Sequence, residues 1–146
     1  MSAIQRVLVL NGPNLDRLDL RDSNIYGSMN FQELSDFIVA AASELSLDAE
    51  VRQSNSEVEI ITWLHEAADN KTPVIFNPAA FTHYSYAIRD AAAMLRAPLI
   101  EVHLSNPLSR EEFRHTSVIS GVAKGTIAGF GANSYRLALI AMKELI

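Results

Sequence analysis

Glu101 and His103 stand two residues apart in Ile100-Glu101-Val102-His103-Leu104. In an extended strand that spacing puts both side chains on one face. A carboxylate beside an imidazole fixes its tautomer and raises its basicity, which suits a histidine that moves protons. The same pair in isolation also fits a core histidine satisfied by a buried carboxylate, so its neighbours decide between the two. Asn11 and Asn14 follow the apolar run at 7–10, Asn77 follows the one at 72–76, with His83 just beyond, and Ser105 and Asn106 follow His103. Polar residues gathered at the ends of apolar runs favour a working histidine.

The other acid–base candidate is Tyr26. A phenol ordinarily ionises near pH 10, and bringing one to neutrality takes roughly 4 kcal/mol of differential stabilisation. Arg21, five residues earlier in the same charged loop, can set a cation beside a phenolate. The alternative is a loop aromatic that pins Ile25 to the surface. A metal centre is not supported by spacing: there is no H-x-H or H-x-x-x-H, and His65 falls within an apolar helical pattern. With no cysteine in the chain, disulfides, thiolate metal sites and a cysteine nucleophile are excluded. No serine sits in a nucleophile elbow. The glycines at 121, 125, 129 and 131 form neither a dinucleotide nor a P-loop signature, although Gly129-Phe130-Gly131, ahead of a helix, offers backbone N–H groups that an anion can use.

The elements that must position these groups alternate. Strands are expected at 7–10, 48–53 (at a sheet edge), 72–76, 99–104 and 125–129. Helices are expected at 29–47, 57–69, 85–95 and 133–145, with one short helical turn at 109–113. Asn30 or Ser28 caps the first helix, with Glu33 three residues after Asn30. Residues 15–27 show no helical or strand period, and a long irregular segment after a buried strand is more often functional than idle. Strand–helix alternation implies a parallel sheet covered on both faces. Five strands favour a flavodoxin-like doubly wound α/β fold, whose ligands bind at the strand C-terminal ends.

The 146 residues are expected to form a single domain, 1–146. A net charge of −5 argues against nucleic acid, and no apolar run is long enough to cross a membrane. The opening Met1-Ser2-Ala3-Ile4-Gln5-Arg6 carries no signal-peptide pattern, so a cytoplasmic location is expected.

Several blocks together resemble type II 3-dehydroquinate dehydratases: Asn11-Gly12-Pro13-Asn14-Leu15, Arg21 with Ile25-Tyr26-Gly27, Gln53-Ser54-Asn55, Asn77-Pro78, Thr82-His83, Arg89-Asp90, Glu101-Val102-His103-Leu104-Ser105-Asn106, Arg110 to His115 and Ala128-Gly129-Phe130-Gly131. They run in order through nearly the whole chain. The resemblance implies a flavodoxin-like fold, a dodecamer built from trimers, no cofactor and no metal. It implies trans-dehydration of 3-dehydroquinate to 3-dehydroshikimate, in the shikimate pathway of aromatic amino acid biosynthesis or in quinate catabolism. By position Tyr26 looks like the base and His103 like the acid. Arg21 would activate Tyr26 and hold a mobile lid, Asn14 would place a water against the developing enolate, and Glu101 would orient His103. Asn77, His83, Asp90, Leu104, Ser105 and Arg114 fall where the family binds substrate, with Asp90 reaching the site of a neighbouring subunit. Two blocks depart from the usual pattern: Ala79 stands where the family has Gly, and Asp19-Leu20-Arg21-Asp22-Ser23 replaces a lid with Gly and Pro. The competing reading is a flavodoxin-like binding or signalling module. It would require an acidic pair or a phosphate loop at the first strand end, where Asn11-Gly12-Pro13-Asn14 stands instead.

Overall fold

The computed structural model describes residues 4–146; Met1 to Ala3, the start of the stretch read for a leader, lie outside them. Five strands, β1 (Gln5–Asn11), β2 (Leu47–Gln53), β3 (Val74–Asn77), β4 (Leu99–His103) and β5 (Gly125–Ala128), form one parallel sheet in the order β2-β1-β3-β4-β5. That is the flavodoxin-like order, as expected, with β2 at an edge. β1, β3 and β4 are apolar over most of their length because both faces are covered. Val7 and Val9 pack with Ile75, Ile100 and Val102 on one face, while Leu8 and Leu10 pack with Val74, Phe76 and Leu99 on the other. The alternation of side chains along each strand thus feeds two separate cores.

Helices α2 (Phe31–Glu44) and α5 (Asn133–Leu145) close the first core, and α3 (Glu57–Asn70) and α4 (Tyr86–Ala92) close the second. The start of α2 is fixed by a capping box: the Asn30 side chain accepts from the Glu33 N–H at 2.8 Å, and the Glu33 carboxylate accepts from the Asn30 N–H. Such a cap contributes about 1 kcal/mol. The helix is shorter than the expected 29–47. It ends at Glu44 because the chain turns at Ser46, with φ 59°, and delivers Leu47 into β2. Helix α4 likewise covers less than 85–95, with Ser85 as its cap. The turn expected at 109–113 is two 3-10 turns, Pro107–Ser109 and Glu112–Arg114. The closing helix has the bounds read from sequence.

The segment without a visible period is built from two short helical pieces, a 3-10 stretch at Leu15–Leu20 and a single α turn, α1, at Ser23–Tyr26. Leu15 and Leu18, three apart, are the residues it buries. The Asp22 side chain caps α1 by accepting from the Asn24 N–H at 2.9 Å. His65, expected inside the apolar pattern of α3, faces solvent, and only Ile60, Leu64 and Ala67 of that helix are buried.

The sheet's strand order reverses between β1 and β3, and this is where such folds open a crevice. Here the strand ends are held very close. The Gly12 N–H donates to the Asn77 carbonyl at 2.8 Å, and a Cβ on Gly12 would lie 2.4 Å from the Pro78 carbonyl oxygen. Since the obstructing atom is backbone, only glycine allows this approach.

Candidate active site

A cleft of about 120 Å³ opens at the strand C-terminal ends. The turn after β1 contributes Asn14, and the turn after β3 contributes Asn77, Ala79 and His83. The end of β4 gives His103, Leu104 and Ser105, and the 3-10 turns beyond it give Arg110 and Arg114. The irregular segment folds back to add Arg21 and Tyr26. Every site residue expected from sequence is therefore in the cleft wall except Glu101 and Asp90.

Glu101 stands behind His103, fully buried. His103 Nε2 lies 2.5 Å from Glu101 Oε2. A carboxylate only accepts, so the ring nitrogen donates, and Nδ1 is left as the nitrogen open to the cleft. Glu101 also accepts from Thr82 Oγ1 at 2.5 Å, Ser120 Oγ at 2.6 Å and Ser117 Oγ at 2.9 Å. Burial pushes this carboxyl up, but the bonds from His103, Ser120 and Thr82 more than offset it and hold it below the ordinary carboxylate range. The carboxylate therefore stays charged behind the imidazole at neutral pH.

A lowered folded pKa stabilises the protein above the unfolded carboxyl's value, here 4.5, and that contribution is lost as pH falls through the folded value. The stability difference between the wild type and Glu101→Gln, read from urea midpoints, is accordingly expected to narrow from pH 6 to pH 3. A difference independent of pH would mean that Glu101 is not ionised in the fold.

Across the cleft, the Arg21 guanidinium lies 3.7 Å from the Tyr26 ring centroid and donates from Nη2 to the Tyr26 hydroxyl. Arg110 approaches the same ring at 5.0 Å and donates to Ser105 Oγ at 3.1 Å. Burial lowers the Arg21 pKa, Tyr26 acts against that, and repulsion from Arg110 and Arg114 adds to it. Three guanidiniums converge on one small space, which is suited to an anionic ligand. Arg110 Nε is buried without a hydrogen-bond partner among the described residues. Sequence reasoning placed Arg110 in a matching block but gave it no role; its one signal was its position five residues beyond Ser105.

Two further expectations need correction or refinement. The N–H groups of Gly129, Phe130 and Gly131 are not free for an anion: they donate to the His103 carbonyl, Ser134 Oγ and the Leu104 carbonyl. The two glycine N–H groups fasten the end of β4, and the Phe130 N–H is tied to the first turn of α5. Ala79 holds φ 52°, a left-handed conformation that costs a non-glycine residue about 1–2 kcal/mol; this is the physical reason a glycine suits the position. Asp90 lies on α4, exposed, with Arg89 Nη1 at 3.5 Å, outside its own chain's cleft. His83 Nδ1 donates to the Thr116 carbonyl at 2.8 Å, leaving Nε2 without a partner among the described residues. Among the described residues, no three His, Asp or Glu side chains gather as metal ligands, and no helix is long and apolar enough to cross a membrane.

The family model described as dehydroquinase class II matches residues 5–143. The chain belongs to the class II dehydroquinase family. It is 54% identical over 134 residues to a 3-dehydroquinate dehydratase of Salinispora tropica, covering 92% of this chain and 94% of that one. It is 55% identical over 133 residues to one of Mycobacteroides abscessus, covering 91% and 92%. The crystal structure of type II dehydroquinase from Propionibacterium acnes superposes with a TM-score of 0.95 at 49% identity, covering 99% of both chains. The five-stranded parallel sheet of this dehydroquinase-family chain is thus the fold of its relatives, and the cleft lies at the sheet's ligand-binding end.

Proposed function

We propose that residues 1–146 form one dehydroquinase domain that dehydrates 3-dehydroquinate to 3-dehydroshikimate, in aromatic amino acid biosynthesis or quinate catabolism in the cytoplasm. The observation that carries the reading is the pair of proton-moving groups in one cleft: Tyr26 under the Arg21 guanidinium, and His103 backed by a buried, ionised Glu101. The proton removed is α to a ketone, so its loss gives an enolate and calls for one base. Tyr26, as phenolate, takes that proton. Asn14 holds a water against the enolate oxygen. His103 gives its proton to the departing hydroxyl, the C–O bond breaks, water leaves, and the ring double bond forms in conjugation with the carbonyl. Glu101 balances the charge of His103 and fixes its ring. The substrate carboxylate takes hydrogen bonds at Ser105 and the Leu104–Ser105 backbone, with Asn77, His83 and Arg114 around the remaining oxygens. The test is direct: adding 3-dehydroquinate to the purified protein should raise the near-ultraviolet absorbance of a conjugated enone. No rise above a protein-free control would sink the reading.

We further infer assembly into a dodecamer of trimers in which Asp90 completes a neighbour's cleft. The support is that Asp90 is exposed on α4 beside other exposed large side chains, Tyr86 and Met94. Tyr26→Phe and Asp90→Asn proteins, each nearly inactive, can be dissociated, mixed one to one and reassembled. If Asp90 acts across the interface, about a quarter of the sites in a cyclic trimer become whole and activity returns. If it serves its own chain, every site keeps a lesion, and no activity returns despite confirmed subunit exchange.

A further inference from the structure

Behind the cleft wall runs a hydrogen-bonded chain that the proposed chemistry does not use. Tyr135, on α5, is fully buried. Its hydroxyl donates to Asn11 Oδ1 at 2.6 Å and accepts from Asn77 Nδ2 at 2.8 Å. Both ends of this chain are tied to backbone. Asn11 turns its amide nitrogen to the Arg52 carbonyl at 3.1 Å, with the Val9 carbonyl at 3.5 Å. Carbonyls only accept, so Asn11 must present nitrogen there and oxygen to Tyr135. That oxygen also only accepts, so Tyr135 spends its one hydrogen on it. Asn77 must then bring an N–H to the phenol.

The far end imposes the same orientation independently. Asn77 Oδ1 accepts the Ala79 backbone N–H at 3.0 Å, and a backbone N–H only donates. A flipped Asn77 would face the phenol oxygen with its own oxygen and the Ala79 N–H with its NH₂, losing both bonds. Burial pushes the Tyr135 hydroxyl well above its ordinary pKa, so its proton stays in place. One amide hydrogen of Asn77 is then engaged by Tyr135, its oxygen by Ala79, and one N–H has no partner among the described residues. Asn77 is part of the cleft wall.

We propose that Tyr135 is a positioning residue: it holds the Asn77 amide so that an N–H donor is offered to the cleft, and the site thereby selects an acceptor oxygen at that point of the substrate. This rests on the reading of the cleft as the dehydration site. The hydroxyl of a fully buried tyrosine thus sets what the substrate must present, without touching it.

A double-mutant cycle separates this role from a merely structural one. kcat and KM are measured for the wild type, Tyr135→Phe, Asn77→Ala and the double variant. Tyr135→Phe removes the hydroxyl alone and leaves the Asn77 amide held only through its oxygen, at the Ala79 N–H. It is expected to raise KM about tenfold with kcat changed less than about threefold, the loss of one hydrogen bond. In the Asn77→Ala background the same substitution should change KM less than about twofold, because the group through which it acts is gone. An equal factor in both backgrounds, or an unchanged KM in Tyr135→Phe, would overturn the proposal. Should Tyr135→Phe not fold, Asn77→Asp against Asn77→Ala decides. Asp keeps an oxygen for the Ala79 N–H but turns an acceptor to the cleft, so its KM should exceed that of the Ala variant by about tenfold. A lower or equal KM overturns the donor assignment. A wild type that does not dehydrate 3-dehydroquinate removes both readings, whereas an active wild type with an additive cycle removes this one alone.

Discussion

Tyr26→Phe is expected to lower kcat by about a hundred- to ten-thousand-fold, the range for a lost general acid or base. The substitution deletes one oxygen. The ring keeps its contacts with Arg21, Arg110 and the residues of the first core, so the folded segment should persist, which circular dichroism and urea denaturation can check. His103→Ala is expected to fall in the same range for the complementary reason: the cleft loses its proton donor, and Glu101 loses its partner at 2.5 Å. The two should differ in stability. Phe is close to neutral at position 26, whereas Ala at position 103 leaves a buried carboxylate facing a void. Near-normal turnover in either variant would remove that residue from its role.

Arg21→Ala is expected to cut kcat at neutral pH by about a hundredfold or more. Its guanidinium donates to the Tyr26 hydroxyl and covers the ring face, and a cation so placed favours the charged form of a phenol. Ala at position 21 removes the donor to that hydroxyl and uncovers the ring, so the loss should fall on kcat more than on KM. A raised KM with kcat unchanged would make Arg21 a binding residue.

The parts of the molecule legible in sequence were those with a period or a pattern of pairing. β1 and β3 were visible because burial on both faces demands unbroken apolar runs, and the Glu101–His103 contact followed from the two-residue repeat of β4. Asn30 with Glu33 announced the start of α2. The segment 15–27 was opaque for a physical reason: a six-residue 3-10 stretch and a single α turn are too short to show a repeat, and their only trace is Leu15 with Leu18. The hydroxyls of Thr82, Ser117 and Ser120 were invisible as ligands of Glu101, because serine and threonine in loops read as turn formers. Tyr135 carried no signal of its own within the closing helix. Its hydroxyl acquires meaning only when β1 and β3 bring Asn11 and Asn77 to it from residues 124 and 58 positions away. The backbone N–H groups of Gly129 to Gly131 misled in the opposite sense, since composition cannot reveal that each already has an acceptor.

The gathering of Arg21, Arg110 and Arg114 has a meaning at long range as well. The molecule as a whole carries a net charge of −5, so an approaching carboxylate is repelled by most of its surface. The guanidiniums make one opening attractive, and the low-dielectric walls of a narrow mouth focus that field outward. Encounter is then guided rather than random, and a collision elsewhere on the surface is followed by departure. Dissolved ions shorten the reach of such a field to about 8 Å at physiological ionic strength. On the proposed reaction, the capture step, kcat/KM, should therefore fall as ambient salt rises, with kcat changed far less.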